Sequence, residues 1–357
     1  MSGKGFVRRS ALAATRTKAF GSFVGALERL LPERPGRLGI LTYHHVADPA
    51  RSPLLYPGLF TDPLEFAAQM DFLVSRYRPV SLNELLGARR GDHALPLRSV
   101  LVTFDDGYRD FADHAWPILR RLGIPATLFI PTAYPGNPGQ VFWWDRLYSA
   151  LSSTDAEVIE TPDGDLRLAS SAERLDAYRT VRERVKSLPH EEGMALVDEV
   201  CETLGAPQAR SDVLGWPDLR RLAAEGVDLA PHSRTHPLLD KVPIEAARAE
   251  ILGSLEDLER EVGRGSRVFA YPGGGESPEV VRILEDEGFE LAFSTRRGTN
   301  DIRTADWLRL RRINVGHASA VPLLHAQLLS GWPRPTTDKG GSRRPRTVRR
   351  AHSASNS

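Results

Sequence analysis

From residue 38 onward, short runs rich in branched and aromatic residues alternate with segments whose apolar positions recur every three or four residues. The runs Leu38–Tyr43, Ser99–Phe104, Ala126–Ile130, Val227–Ala230, Val268–Tyr271 and Leu291–Ser294 predict strands, with a weaker one at Leu310–Val315. Between them the helical period is cleanest in Ile244, Ala247, Ile251, Leu255, Leu258 and Val262. This alternation predicts an α/β fold with a mostly parallel sheet, and six or seven strands suit a distorted or incomplete (β/α) barrel as well as an open sheet. In either case chemistry gathers at the carboxyl ends of the strands.

The alternation lapses between about residues 137 and 212. Helical patterns at Asp145–Ser152, Ser171–Ser187 and Glu191–Leu204, with a turn signal at Pro162-Asp163-Gly164, predict an inserted helical subdomain rather than a long structureless loop. After Trp332 the chain turns to Pro, Gly, Ser and Arg without apolar period, so residues 333–357 are expected to be disordered. Residues 1–37 form a basic segment in which Phe20, Phe23, Val24, Leu27, Leu30 and Leu31 have helical spacing.

Charge sharpens this division. The 357 residues carry 47 basic and 46 acidic side chains, but residues 38–332 hold 32 basic and 43 acidic, while the two ends together hold 15 basic and 3 acidic. An acidic body does not suit nucleic acid, which needs a basic face on the folded domain. The basic ends suit an anionic membrane surface, contacted peripherally, or an acidic protein, and the N-terminal apolar stripe also suits a frayed or packed terminal helix. The single Cys201 excludes an internal disulfide and a thiolate metal cluster. The N-terminal segment lacks the apolar stretch of an export signal and no run is long enough to span a bilayer, so cytoplasmic residence is expected.

Three strand ends carry polar residues that invite chemistry. Leu101-Val102-Thr103-Phe104-Asp105-Asp106-Gly107 ends in adjacent carboxylates, which face one cavity only if the backbone turns there, as Gly107 permits. Paired acids allow one to be held ionised by a cation while the other acts as a base. In Pro231-His232-Ser233-Arg234-Thr235-His236 two imidazoles four residues apart suit a divalent metal with a carboxylate as third ligand. Thr42-Tyr43-His44-His45 ends the first strand, and a His there can supply the proton that a leaving group needs. Only one of His44 and His45 is expected to face the site.

Together, Thr103-Phe104-Asp105-Asp106-Gly107, His232-Ser233-Arg234-Thr235-His236 and Phe269-Ala270-Tyr271-Pro272-Gly273-Gly274, with Gly215-Trp216-Pro217-Asp218-Leu219 ahead of the His motif, resemble the polysaccharide deacetylases, carbohydrate esterase family 4. The resemblance implies Asp105 as general base and Asp106, His232 and His236 as ligands of a divalent metal, zinc before cobalt, nickel or iron. Tyr43-His44 resembles the circularly permuted exopolysaccharide deacetylase branch, which makes His44 the expected acid ahead of His325 and His317. The third motif usually contributes an Arg to the catalytic Asp; Ala270 stands there, and Arg311 or Arg312 is expected to substitute. Gly273 is expected to offer a backbone N–H to the oxyanion. Tyr271, Pro272, Arg312 and Trp144 are expected at the substrate, although the aromatic run Phe142-Trp143-Trp144 suits packing of the insertion better than sugar stacking.

The resemblance thus implies a metal-dependent hydrolase that removes acetyl groups from N-acetylated sugars of a polysaccharide or glycan precursor. Two alternatives stand beside it: a carbohydrate-binding protein without turnover, prompted by Ala270, and a hydrolase of another small amide.

Overall fold

The computed structural model describes residues 14–48, 55–137, 139–161, 164–205, 212–263 and 265–330. Its sheet contains β1 (Arg37–Tyr43), β2 (Ser99–Phe104), β3 (Ala126–Ile130), β4 (Asp228–Pro231), β5 (Val268–Ala270), β6 (Leu291–Arg297) and β7 (Leu310–Asn314). The hydrogen-bonded order is β5-β6-β7-β1-β2-β3-β4, and every one of these pairs is parallel. The edge strands β4 and β5 approach each other without pairing, so the sheet curls into a nearly closed barrel with one seam. Short strands at Arg78–Pro79 and Asn300–Asp301 add to β2 and β1.

Period-2 alternation sorts the strand residues into two layers. Leu38, Ile40, Leu101, Phe129, Ala230, Ala270, Phe293 and Leu310 share one buried cluster drawn from all seven strands, which identifies the barrel interior. Leu41, Tyr43, Val100, Val102, Phe104, Leu128 and Ile130 point outward and pack on helix residues such as Phe66, Met70, Leu73 and Leu119. The interior parity runs through Leu101 and Thr103 to Asp105, through Ile40 and Thr42 to His44, through Ala230 to His232, and through Leu310 to Arg312. The alternation that builds the core therefore also aims four polar side chains into the mouth of the barrel.

Outside the barrel lies α1 (Lys18–Leu30), with Val24 and Glu28 buried and Phe23 and Leu30 exposed. The helices α2 (Trp143–Ser153), α3 (Ser171–Ser187) and α4 (His190–Thr203) share a core of Leu147, Leu151, Tyr178, Val181, Val185, Val197 and Cys201. Between α2 and α3 a short antiparallel pair joins Val158–Ile159 to Leu166–Arg167; the turn residues Pro162 and Asp163 lie outside the described residues, as do residues 1–13 and 331–357 of the basic ends. Beyond β4 runs α5 (Ile244–Val262), on the helical stripe read from the sequence.

Candidate active site

The acidic pair is set by a backbone turn one residue earlier than glycine alone requires. Asp105 continues the inward parity of β2, whereas Asp106 would point outward on extended chain; it instead adopts φ 74°, followed by Gly107 at φ 69°. Left-handed backbone costs a non-glycine residue roughly 1–2 kcal/mol, and here it brings the second carboxylate back to the same side. His232 and His236 are likewise joined by a bent loop, not a helical turn, with Ser233 at φ 61° and His236 at φ 60°. Ser233 Oγ accepts the His236 N–H at 3.0 Å.

This loop is braced from α5. Glu250 accepts from the backbone N–H groups of Arg234 and Thr235 at 2.7 and 2.8 Å and from Thr235 Oγ1 at 2.7 Å. The buried Asp257 accepts from Arg234 Nε at 2.9 Å and from Thr132 Oγ1 at 2.7 Å. The sequence signal was present: both acids flank the apolar stripe of a core-facing helix, where an unpaired carboxylate would be costly.

His232 Nε2 and His236 Nε2 lie 3.6 and 3.4 Å from Asp106 Oδ1, and one ligand atom from each of the three buried residues falls within 4.8 Å of the others. His232 Nδ1 lies 2.7 Å from the carbonyl oxygen of Ala270, across the seam of the barrel. A carbonyl only accepts, so the proton resides on Nδ1 and the Nε2 lone pair faces Asp106. Burial lowers the pKa of both histidines, that of His236 far below its ordinary value, and burial together with Asp105 raises that of Asp106 well above the carboxylate range. Asp106 Oδ1 is buried with no hydrogen-bond donor among the described residues. Three ligand atoms thus converge on one point, and a cation there would favour the ionised form of Asp106 that burial otherwise disfavours. Atoms bonded about 2.1 Å from a tetrahedral zinc-like ion stand roughly 3.4 Å apart, so donor type and spacing both fit a divalent cation.

Beside this triad Arg312 is fully buried in β7. Its Nη1 and Nη2 donate to Asp105 Oδ1 and Oδ2, both at 2.8 Å, and its Nε donates to Ser294 O at 3.0 Å. Burial alone would raise the Asp105 pKa, but Arg312, aided by His232 and His44, holds it down at about 2. Arg312 therefore stands where Ala270 leaves the third motif without its cation. Arg311 reaches instead toward the backbone of Arg297.

His44 lies within the fields of Asp105, Arg312 and His232, and burial lowers its pKa to about 4. His45 turns the other way, against Asp110 Oδ2 at 2.6 Å and tilted over the Tyr108 ring. Gly273 follows β5, exposed and at φ 55°.

Several residues expected at the substrate do other work. Arg312 is 1% exposed and gives three hydrogen bonds to Asp105 and Ser294, so its place is behind Asp105 rather than on an open surface. Tyr271 is buried and its hydroxyl donates to Leu308 O at 2.9 Å; Pro272 is buried after it. Trp144 is 7% exposed, stacked on Phe142 at 4.4 Å and tilted against His236 at 4.5 Å. Its indole N–H donates to Tyr108 Oη at 2.9 Å, and Tyr108 donates to Asp145 Oδ2 at 3.0 Å. That network, absent from the sequence reading, docks the insertion on a metal-ligand histidine. His325 is buried against Glu28 of α1, 3.4 Å from its carboxylate, and His317 packs at a tilt on Phe60, so neither joins the acidic pair.

A profile of the polysaccharide deacetylase family matches residues 93–292. The poly-beta-1,6-N-acetyl-D-glucosamine N-deacetylase of Escherichia coli is 32% identical over 295 residues, covering 80% of this chain and 39% of that protein. The putative polysaccharide deacetylase YxkH of Bacillus subtilis is 33% identical over 99 residues, 28% of this chain and 33% of its own. The chain thus spans only about two fifths and one third of these curated relatives. Among solved structures, the Streptococcus pyogenes deacetylase PplD superposes with a TM-score of 0.55 at 19% identity, covering 83% of this chain and 99% of its own. IcaB from Ammonifex degensii gives 0.54 at 21%, covering 83% and 98%. The profile spans more than half of the chain and contains Asp105, Asp106, His232, His236 and Gly273: the chain belongs to the polysaccharide deacetylase family.

Proposed function

We propose that this chain is a metal-dependent deacetylase of N-acetylated sugars, with Asp106, His232 and His236 holding the metal. The observation that carries the reading is the convergence of those three ligand atoms next to Asp105, a buried carboxylate kept ionised by Arg312. Two histidines and an aspartate suit zinc, with cobalt, nickel or iron as substitutes. Bound there, a divalent cation supplies Lewis acidity toward an acetamide oxygen and lowers the pKa of water.

The chain's own residues complete the chemistry. Asp105, fixed by two hydrogen bonds from Arg312, accepts the proton of the attacking water. The Gly273 N–H faces the oxygen on which negative charge develops. His44, held at about 4, is neutral at neutral pH and carries no spare proton to give. The proton taken by Asp105 is the available one, and His44 beside it relays that proton to the departing amine. Ala270 gives no ground for loss of turnover, because Arg312 fills the electrostatic place of the missing Arg.

The relative from Escherichia coli supports an N-acetylglucosamine polymer or its precursor as substrate. The position of β1 at the centre of the sheet, with His44 at its end beside the Asp105 strand, supports the permuted exopolysaccharide branch. The exposed Phe23 and Leu30 of α1 support peripheral contact with an anionic membrane, checked by salt-sensitive liposome binding. Acetate release by the metal-loaded protein across sugar polymers, lipid-linked sugars and nucleotide sugars tests the activity. A hydrolase of a different amide would release none from any of them.

A further inference from the structure

Lysine is scarce in this chain: five residues against 42 arginines, and only Lys186 and Lys241 between residues 38 and 332. Lys186 lies near the end of α3, one residue past Val185, whose side chain is buried in the core of the inserted helices. Its ammonium extends across to the third-motif loop, where a methyl group built on Gly273 would stand 3.7 Å from Nζ. Its charge also reaches Asp106 and His236 of the triad, as a minor contribution beside burial. Among the described residues no carboxylate lies within 4.0 Å of Nζ; burial and then Arg182 push its pKa below the ordinary lysine range, while Glu183 and Asp106 attract it from a distance. The same built methyl would meet Leu238 Cδ2 at 2.6 Å, so only a glycine fits between Leu238 and the ammonium at this point of the loop.

An uncancelled ammonium at the mouth of an acetamide-cleaving site has a specific use. We propose that Lys186 is a catalytic residue supplied by the inserted helices, whose ammonium, with the Gly273 N–H, stabilises the oxyanion formed from the acetamide. The proposal rests on the deacetylase reading and adds a group to it. Attack forms the bond from water oxygen to carbonyl carbon, sends the water proton to Asp105 and moves the carbonyl π pair onto the acetamide oxygen. Lys186 neutralises that charge without transferring its own proton. Collapse restores the carbonyl, breaks the C–N bond and leaves its electron pair on nitrogen, which takes the proton held by Asp105 through His44. A lysine suits the task because its point charge on a flexible stem follows the charge as it develops, whereas arginine presents a planar fork. In a chain that uses arginine almost everywhere, that choice at this place is informative.

The test compares the full, metal-loaded chain with Lys186→Met and Lys186→Arg, measuring metal content, acetate release and calorimetric affinity for acetate, the anionic product. Lys186→Met is expected to keep its metal, lose about 100-fold in kcat with little change in KM, and bind acetate about fivefold more weakly; Lys186→Arg recovers part of both. A kcat for Lys186→Met within about twofold of the parent, or an unchanged affinity for acetate, overturns the proposal. If the parent itself releases no acetate from any N-acetylated sugar, the deacetylase reading fails, and the acetate affinities alone still decide whether Lys186 faces an anion in the site.

Discussion

Replacing Arg312 with Met removes the guanidinium while keeping an unbranched apolar stem inside the barrel. Asp105 is 3% exposed and takes both of its 2.8 Å hydrogen bonds from this one residue, so the variant leaves a buried carboxylate without its counterion. Breaking a buried pair by removing one partner costs about 3–5 kcal/mol. Part of that cost depends on pH. A carboxyl held at about 2 against an ordinary 3.8 contributes roughly 2.5 kcal/mol. Because the folded pKa is the lower one, this contribution is complete above pH about 4 and is lost as pH falls through about 2. Urea unfolding of both proteins from pH 7 down to the acid limit of reversible folding is therefore expected to show a gap that is widest at neutral pH and narrows with acid. The double variant Asp105→Asn/Arg312→Met, with no buried charge to strand, is expected to recover at least about half of the loss. A single variant within about 1 kcal/mol of the parent at pH 7, or strictly additive effects in the double variant, would refute the assignment of Arg312 as the partner that keeps Asp105 ionised.

Other outcomes follow from the same geometry. Asp105→Asn is expected to bind metal as the parent does and to lose at least about 100-fold in acetate release; retained activity would sink the base assignment. His232→Ala or His236→Ala is expected to lower metal content by plasma mass spectrometry and to abolish the metal-induced rise in Tm. His44→Gln is expected to cost about 100-fold in kcat. In the parent, His44 is neutral across the physiological range, so acetate release is expected to show no falling limb between pH 6 and 8; a limb near 6.5 would instead mark a cationic histidine as the acid. Glu250→Gln, which weakens the acceptor of three hydrogen bonds bracing the His loop, is expected to loosen metal binding about tenfold, measured by competition with a chelator.

The barrel and most of the metal site were legible because both depend on local pattern. Branched runs located all seven strands to within a few residues, and the motif residues stand at strand ends where the parallel sheet gathers them. The choice between His44 and His45 was also present in the chain, since Ile40 and Thr42 share the inward parity of His44. Arg312 could be separated from Arg311 by the same parity once Leu310 was placed inside. What local pattern does not carry is contact between distant segments. Trp144 and Tyr271 read alike whether they meet a sugar or fill a core, and only the fold shows the first against His236 and the second on Leu308. The left-handed backbone at Asp106 has no sequence signature of its own, because aspartate there looks like any strand end. Lys186 was equally silent, its place at the mouth being set by the packing of three inserted helices.

The central claim is that the triad and Asp105 form one hydrolytic centre for N-acetylated sugars. Its most direct test is acetate release from an N-acetylglucosamine oligomer by the purified chain, first stripped with a chelator and then reloaded with zinc. Acetate appearing in step with free amine only after reloading is the predicted result. Stoichiometric zinc bound through Asp106, His232 and His236 with no acetate from any N-acetylated sugar would contradict it.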